Sequence, residues 1–533
     1  MRQSATWLVG WARTCKLPRM KKLGSYVHGG WVWGDVEVTL VNPATEEPVA
    51  TLAGGGFDGA RLVEETRKAG CHALAELGFA ARGKLLVQWS KALFAHRDEL
   101  LDLAIRNGGN TRSDGKFDVD GAIGTLSYYG SLGEKLGQGN LLRDGEQEQL
   151  TRSVRLVGTH VLVPRRGVAL HINAFNFPAW NLAEKAAVAL LAGVPVITKP
   201  ATSTALLAHR IIEIAIEQAI FPTHALALVL GRVESLLENL SGQDAIAFTG
   251  SSQTGAILRR SACVTERSCR LNVEADSLNA AIAGTDVEED SETFALLVAD
   301  VYRDMIQKTG QKCTAIRRIF VPTERIDALT DALCDRLGRV VVGNPALEEV
   351  TMGPVTSAAQ RREVVSGIAR LASVAKALHG NPGQAISGQG SPEGTGYFVA
   401  PTLFVAESTA SAVHEHEVFG PVATIVGYRD LPELVRLVAQ GGGSLVSSVY
   451  SDDRKLQKEL VLELLPYHGR LMLGSEKLVG HSVGPGTVLP QLMHGGPGRA
   501  GGGEELGGRR GLNLYMQRSA IEGDKPVIEA LTA

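Results

Sequence analysis

The stretch that decides the fold is Gly167–Pro200, GVALHINAFNFPAWNLAEKAAVALLAGVPVITKP. GVALHINA is a short apolar run that reads as a strand and stops at turn-forming residues. PAWNLAEKAAVALLAG carries apolar residues at helical spacing and ends on Gly193, a natural helix stop. VPVITKP is a second strand. The rhythm then repeats: Thr204–Ile220 reads as a helix, His224–Gly231 as a strand and Val233–Ser241 as a helix. Asp244–Gly250 is a further strand, and Ser252–Ala262 a further helix. Strands alternating with helices predict an α/β fold with a parallel, doubly wound sheet, whose ligands gather at the carboxyl ends of the strands.

Working outward, Val41–Leu52 (VNPATEEPVATL) reads as strand, Pro-marked turn and strand, and the pattern turns helical from about 57 to 107. Glu148–Gly167 alternates charged and apolar residues, as an exposed β-ribbon would. A second α/β region is expected from about 280 to 482. Beyond a glycine-rich stretch, Leu512–Ile521 can form a last strand.

The bulk numbers narrow the class. The chain has 533 residues, 44% apolar and 21% charged, with a net charge of −3. No basic excess supports nucleic-acid binding. The longest uncharged apolar run, Ala186–Thr198, is too short to span a bilayer. Six scattered cysteines form no CxxC pair and no zinc-like spacing, which suggests reduced thiols in a cytoplasm. Residues 1–19 have a short apolar centre with basic flanks, and read as a leader or as an extension ahead of a start at Met20.

Several residues could carry chemistry, and each has a plainer reading. Gly250, Ser251 and Gly255 lie where a strand meets a helix N-terminus, which favours phosphate, but an ordinary turn uses the same residues. Lys199 ends a strand, either facing a ligand or capping the strand in water. Asn173 and Asn176 suit an oxyanion or a turn. Glu274 and Asp276 suit a general base or a surface loop. His414 and His416 tempt a metal reading, but no other ligands cluster near them in sequence. Cys313 lies in QKTGQKCTAIRR (Gln307–Arg318), between a helix and a strand and off the apolar stripe of Phe294, Leu297, Val298, Val301 and Met305. A cysteine placed there is a candidate nucleophile; Lys312 and the helix ends flanking it could lower its pKa below the ~8.5 of a free thiol, though the sequence does not show that Lys312 faces it.

Taken in order, VNPATEEPVATL, NFPAWN (176–181), AGVPVITKPA (192–201), FTGSSQTG (248–255), GQKCTAIRR (310–318) and HEVFGPVAT (416–424) resemble the blocks of the NAD(P)-dependent aldehyde dehydrogenase superfamily. The resemblance runs from about residue 25 to 520. Within it, LNVEADSLN (271–279) and LPQLMHGGPGRAGGGEELGG (489–508) resemble the branch that oxidises CoA-linked semialdehydes in aromatic-compound and benzoate breakdown. The chain stops at Ala533 without the hydratase domain of that branch's bifunctional members, which favours its stand-alone members.

The resemblance implies an aldehyde dehydrogenase fold: a Rossmann-like cofactor domain at 20–147 and 167–279, and an α/β catalytic domain at 280–485. Residues 148–166 and 486–533 would form a small β oligomerisation element and tail, with 1–19 as an extension. It implies Cys313 as nucleophile, Asn176 as oxyanion donor and Glu274 as general base. Lys199, Thr202, Ser203, Gly250, Ser251, Gly255, Glu417 and Phe419 would bind the cofactor. The expected substrate is 3,4-dehydroadipyl-CoA semialdehyde, and no metal and no membrane or nucleic-acid partner is implied. The expected assembly is a homodimer, since exposed strand edges need covering.

Two positions depart from the common pattern. Asn272 stands where the family usually has its Glu base, with Glu274 two residues on; alternate residues of a strand face the same side. Thr202 stands where NAD-preferring members commonly have Glu. Its hydroxyl removes repulsion of a 2′-phosphate, so NADP is expected over NAD. A CoA-acylating aldehyde dehydrogenase, one acting on another small semialdehyde and a non-catalytic nucleotide-binding protein are the alternatives.

Overall fold

A computed structural model describes residues 20–532; the expected extension at 1–19 lies outside them. The stretch Gly167–Pro200 folds as strand Ala169–Ile172, helix Trp180–Ala192 and strand Val196–Lys199. Gly193 ends the helix in the left-handed region at φ 88°, where a glycine carries no Cβ penalty. Every residue of this Ala- and Leu-rich helix is buried. Each fully buried leucine in it contributes roughly 1.5–3 kcal/mol.

The first large sheet runs in the spatial order Arg270–Glu274, Ala245–Thr249, Ala169–Ile172, Val196–Lys199, Leu226–Leu228. These five strands are parallel, and the hairpin Ser25–Val27 with Gly30–Val32 extends the sheet antiparallel. The chain order reverses between Ala169–Ile172 and Ala245–Thr249, which opens a crevice at their carboxyl ends.

The second large sheet centres on Ala280–Ala283. Arg318–Pro322, Val422–Tyr428 and Thr402–Ala406 lie to one side, and Ser444–Tyr450 and His468–Gly474 to the other, all parallel. Lys376–His379 closes one edge antiparallel. A smaller sheet pairs Met516–Asp524 antiparallel with Leu156–Pro164. The expected ribbon at 148–166 is therefore mostly one strand, with Glu148–Gln149 folding back on it.

Arg112–Leu136 is a helix that the sequence pattern did not reveal. Its glycines weaken helix propensity, yet they are contact points. A Cβ at Gly121 would strike the Trp180 ring, and one at Gly133 would come within 2.8 Å of the Gly83 Cα on the helix Phe79–Ala95. Close packing, which a periodicity reading does not see, outweighs the propensity.

Helix Glu292–Ile306 is capped by Ser291, and its expected apolar stripe is buried. It stops abruptly: Lys308, Thr309 and Gly310 follow at φ 52°, 55° and 67°. Two non-glycine residues in the left-handed region cost about 1–2 kcal/mol each. They are held by Thr309 Oγ1 donating to the Gly353 carbonyl at 2.9 Å and by Lys308 Nζ lying 4.3 Å from the Phe177 ring centre. Gly310 has no substitute, because a Cβ there would run into the Gly420 carbonyl. This kink delivers Cys313.

Candidate active site

The loop after the kink is clamped from three sides. Asn176 Nδ2 donates to the Gln311 carbonyl at 3.0 Å. Asn279 Nδ2 donates to the carbonyls of Cys313 and Ala315, each at 2.8 Å. Arg317 Nη2 donates to the carbonyls of Gly310 at 2.9 Å and Lys312 at 3.1 Å. Lys312 itself turns away from the thiol, donating to Asp304 at 2.6 Å and Gln307 at 2.8 Å. Its expected effect on Cys313 is therefore corrected: burial, and then the Glu274 carboxylate, push the thiol up instead of down.

Cys313, Asn176, Thr249 and Glu274 form a wall shared by two cavities. On one side is a narrow chamber of about 30 Å³ lined by Phe117, Phe177, Trp180 and Val488. On the other is a cleft of about 540 Å³ at the crevice of the first sheet. Lys199, Gly250, Ser251, Glu417 and Phe419 line the cleft. Thr202, Ser203 and Gly255 do not: Thr202 and Ser203 sit in the single turn after Lys199, with the Ser203 carbonyl bound by Asn107 at 2.9 Å. Gly255 packs against Val273, where a Cβ would sit 3.0 Å from Cγ1.

The cleft fits a dinucleotide. It opens at the strand-order reversal, beside the N-terminus of helix Ser252–Arg259, where an anion is favoured. Ser251 accepts the Thr254 N–H at 3.3 Å, and Asp276 accepts the Ser252 N–H at 3.0 Å. At the far end, Glu417 Oε2 accepts the Ser277 N–H at 3.0 Å. Burial pushes the Glu417 carboxyl up to about 7, although Arg317 opposes it.

Residues 31–521 match the profile of the Aldehyde dehydrogenase family. The chain belongs to the aldehyde dehydrogenase family. It is 42% identical over 479 residues to 3,4-dehydroadipyl-CoA semialdehyde dehydrogenase of Aromatoleum evansii, covering 89% of this chain and 93% of that one. It is 27% identical to the non-phosphorylating aspartate-semialdehyde dehydrogenase of Halomonas elongata, over 94% of this chain and 95% of that one. Two solved structures share the fold. A Bacillus cereus aldehyde dehydrogenase in complex with NAD+ superposes with TM-score 0.81 at 21% identity, covering 95% of this chain and 97% of that one. The NAD-dependent enzyme of Sinorhizobium meliloti gives 0.82 at 23%, covering 95% of each.

In this aldehyde dehydrogenase the pair Thr249↔Glu274 is in register, and so is Ala247↔Asn272. Glu274 and Asn272 thus share a face, as strand alternation requires. They have different partners: Asn272 Nδ2 donates to Glu505 Oε1 at 3.1 Å, while Glu274 Oε2 accepts from Thr249 Oγ1 at 3.1 Å. Glu274 Oε1 lies 3.1 Å from His494 Nε2. Burial pushes the Glu274 carboxyl up, but His494 and Lys185 outweigh it and hold it at about 2.

Lys185 donates to Thr249 Oγ1 at 2.7 Å and to Glu505 Oε2 at 3.1 Å, and it lies 3.3 Å from Glu184 Oε1. Burial raises the Glu505 carboxyl to about 7, against the pull of Lys185. The sequence reading passed over Glu184, Lys185, His494 and Glu505. A signal existed for the first two: adjacent charges inside a helix with no exposed face need partners. His414 stacks on Phe320 and sits 3.1 Å from Arg318 Nη1, while His416 is exposed, so the two histidines do not converge. Among the described residues no helix is long and apolar enough to cross a membrane.

Proposed function

We propose that this aldehyde dehydrogenase oxidises a CoA-linked semialdehyde, 3,4-dehydroadipyl-CoA semialdehyde or a close analogue, to the carboxylic acid with NADP. The observation that carries the reading is the shared wall: one thiol, Cys313, opens to both an aromatic chamber and a dinucleotide-sized cleft. The substrate class is supported by the 42% identical Aromatoleum evansii protein of that name.

In this reading the aldehyde enters from the chamber, and Cys313 Sγ attacks its carbonyl carbon. The resulting oxyanion of the thiohemiacetal is held by the Asn176 amide and the Cys313 backbone N–H. The cofactor, when bound, supplies the hydride acceptor. A thioester on Cys313 remains, and Glu274 takes a proton from the water that releases the acid. Lys199 would hold the adenosine ribose, with Thr202 in the turn behind it, Ser251 the pyrophosphate, and Glu417 with Phe419 the nicotinamide end. Ser203, Gly250 and Gly255 would shape that site.

Support for NADP is local. No acid stands in the turn after Lys199, and the nearby Glu234 is paired with Arg232 at 2.7 Å. The same reading divides the chain at the boundaries given above and makes it a cytoplasmic homodimer. Among the described residues the edge strand Met516–Asp524 pairs on one side only, which favours a partner on the other.

A panel of free short aldehydes and CoA-linked semialdehydes, each with NAD or NADP, tests the reading through nicotinamide absorbance and product analysis. The CoA-linked semialdehyde with NADP is expected to give the highest kcat/KM and a free carboxylate. Equal rates on a free short aldehyde would remove the substrate assignment. A new thioester at the aldehyde carbon would point to CoA acylation.

A further inference from the structure

His494 stands between the nucleophile and the base. It lies on the short strand Met493–Gly495, which pairs antiparallel with Glu504–Leu506 so that His494 is opposite Glu505. The glycine-rich turn joining these strands lies directly on Val273: a Cβ at Gly501 or Gly503 would collide with the Val273 carbonyl. Only a near-bare backbone can approach this closely, and the approach places His494 beside Glu274. His494 Nε2 is 3.1 Å from Glu274 Oε1 and 3.8 Å from Cys313 Sγ, and both His494 and Glu274 are buried.

The charges around the site make this position matter. The carboxyl groups facing Cys313 and His494 are Glu274, Glu184, Glu505 and Glu417. Lys185 is engaged with Glu184, Glu505 and Thr249, Lys312 with Asp304, Arg317 with backbone carbonyls and Glu417, and Arg470 with the Pro485 carbonyl. Among the described residues, His494 is the basic side chain within hydrogen-bonding range of Sγ. A thiolate formed beside ionised Glu274 would place two anions together in a buried pocket, where like charges repel strongly.

We propose that His494 is the proton and charge partner of Cys313: the S–H bond breaks, its proton forms an N–H bond at Nε2, and the imidazolium so formed separates the thiolate from the Glu274 carboxylate. The transfer is neutral overall and involves no redox change. When the acid leaves, the acyl C–S bond breaks with its electron pair on sulfur, and the thiolate re-forms beside the same imidazolium. Burial lowers the affinity of His494 for a proton, but Glu274 outweighs burial and raises it, which makes neutral His494 the stronger acceptor of the thiol proton. This inference rests on the roles proposed above for Cys313 and Glu274.

The test is the pH dependence of Cys313 alkylation by iodoacetamide in the protein without cofactor, followed by mass spectrometry. In His494→Gln the midpoint is expected to rise by at least one pH unit, with alkylation at pH 7 about tenfold slower and recovering at high pH. The kcat at pH 7 should fall at least tenfold and return as pH rises, with KM within about threefold. An unchanged midpoint overturns the inference. If the variant does not fold, the wild-type protein carries a second readout. A histidine resonance should titrate at lower pH after Cys313 is alkylated, because the thiolate no longer holds the imidazolium; no such shift overturns the inference. Cys313→Ala separates the two levels. If it still forms NADPH, the nucleophile assignment fails. If it is inactive while the His494 readouts do not move, only the role of the histidine fails.

Discussion

Asn176 Nδ2 donates its 3.0 Å hydrogen bond to the carbonyl of Gln311, two residues before Cys313. The proposed oxyanion donor and the nucleophile loop are thereby fixed to each other across two different sheets. Asn176→Ala should lower kcat by about 10²–10³ with KM changed only a few-fold, as loss of one oxyanion donor does. Steady-state kinetics checks this, and a KM effect with kcat intact would show that Asn176 only shapes the chamber.

The turn after Lys199 carries the cofactor prediction. Thr202 sits behind the cleft wall, but the longer Glu of Thr202→Glu can reach toward a ribose held beside Lys199, and its repulsion of a 2′-phosphate should move the NADP/NAD ratio of kcat/KM toward NAD by at least tenfold. Fluorescence titration with NADPH and NADH gives an activity-independent check. An unchanged ratio would place the 2′-phosphate elsewhere.

Lys312 is buried against Asp304 at 2.6 Å, with Gln307 completing its shell. Lys312→Met leaves the Asp304 carboxylate buried without its partner, a loss of about 3–5 kcal/mol. The melting temperature should drop by several degrees. The folded fraction should keep the wild-type pH midpoint for Cys313 alkylation, because Lys312 does not face the thiol. A midpoint shift in that fraction would restore Lys312 to the catalytic site.

Glu417 gives a pH-dependent contribution to stability. Its folded-state value of about 7 lies above its ordinary 4.5. The folded protein therefore keeps a proton that the unfolded chain has released. The contribution is full below about pH 4.5 and is lost as pH rises through about 7. Wild type minus Glu417→Gln in melting temperature should accordingly fall across that window and level off above it. A flat difference would show that Glu417 is ionised when folded.

Gly310 tests the kink. Gly310→Ala meets both a φ of 67° and the Gly420 carbonyl. It should cost more than the ~1 kcal/mol of left-handed backbone strain alone and cut soluble yield. Wild-type stability in this variant would mean that the loop has another conformation.

Much of the fold was legible in the chain. The Gly167–Ala262 rhythm of strand and helix, closed by Gly193, is local, because each element's periodicity and stop signal lie within it. The helix Arg112–Leu136 was not legible, because its glycines are explained by Trp180 and Gly83 on other elements. For the site, the sequence marked Cys313, Asn176, Glu274, Lys199 and Glu417 by position and by resemblance. It left the direction of Lys312 open, because adjacency to Cys313 in the chain says nothing about direction when a kink intervenes.

What the sequence by itself determined, then, was the set of strand ends and the identity of a thiol, an amide and a carboxylate, because these depend on short-range patterns. Only the tertiary structure decided their company. The Glu184–Lys185–Glu505 cluster and the contact of His494 with both Glu274 and Cys313 join segments far apart in the chain. Electrostatic interaction depends on distance and burial, and neither is written in the spacing of residues along the chain.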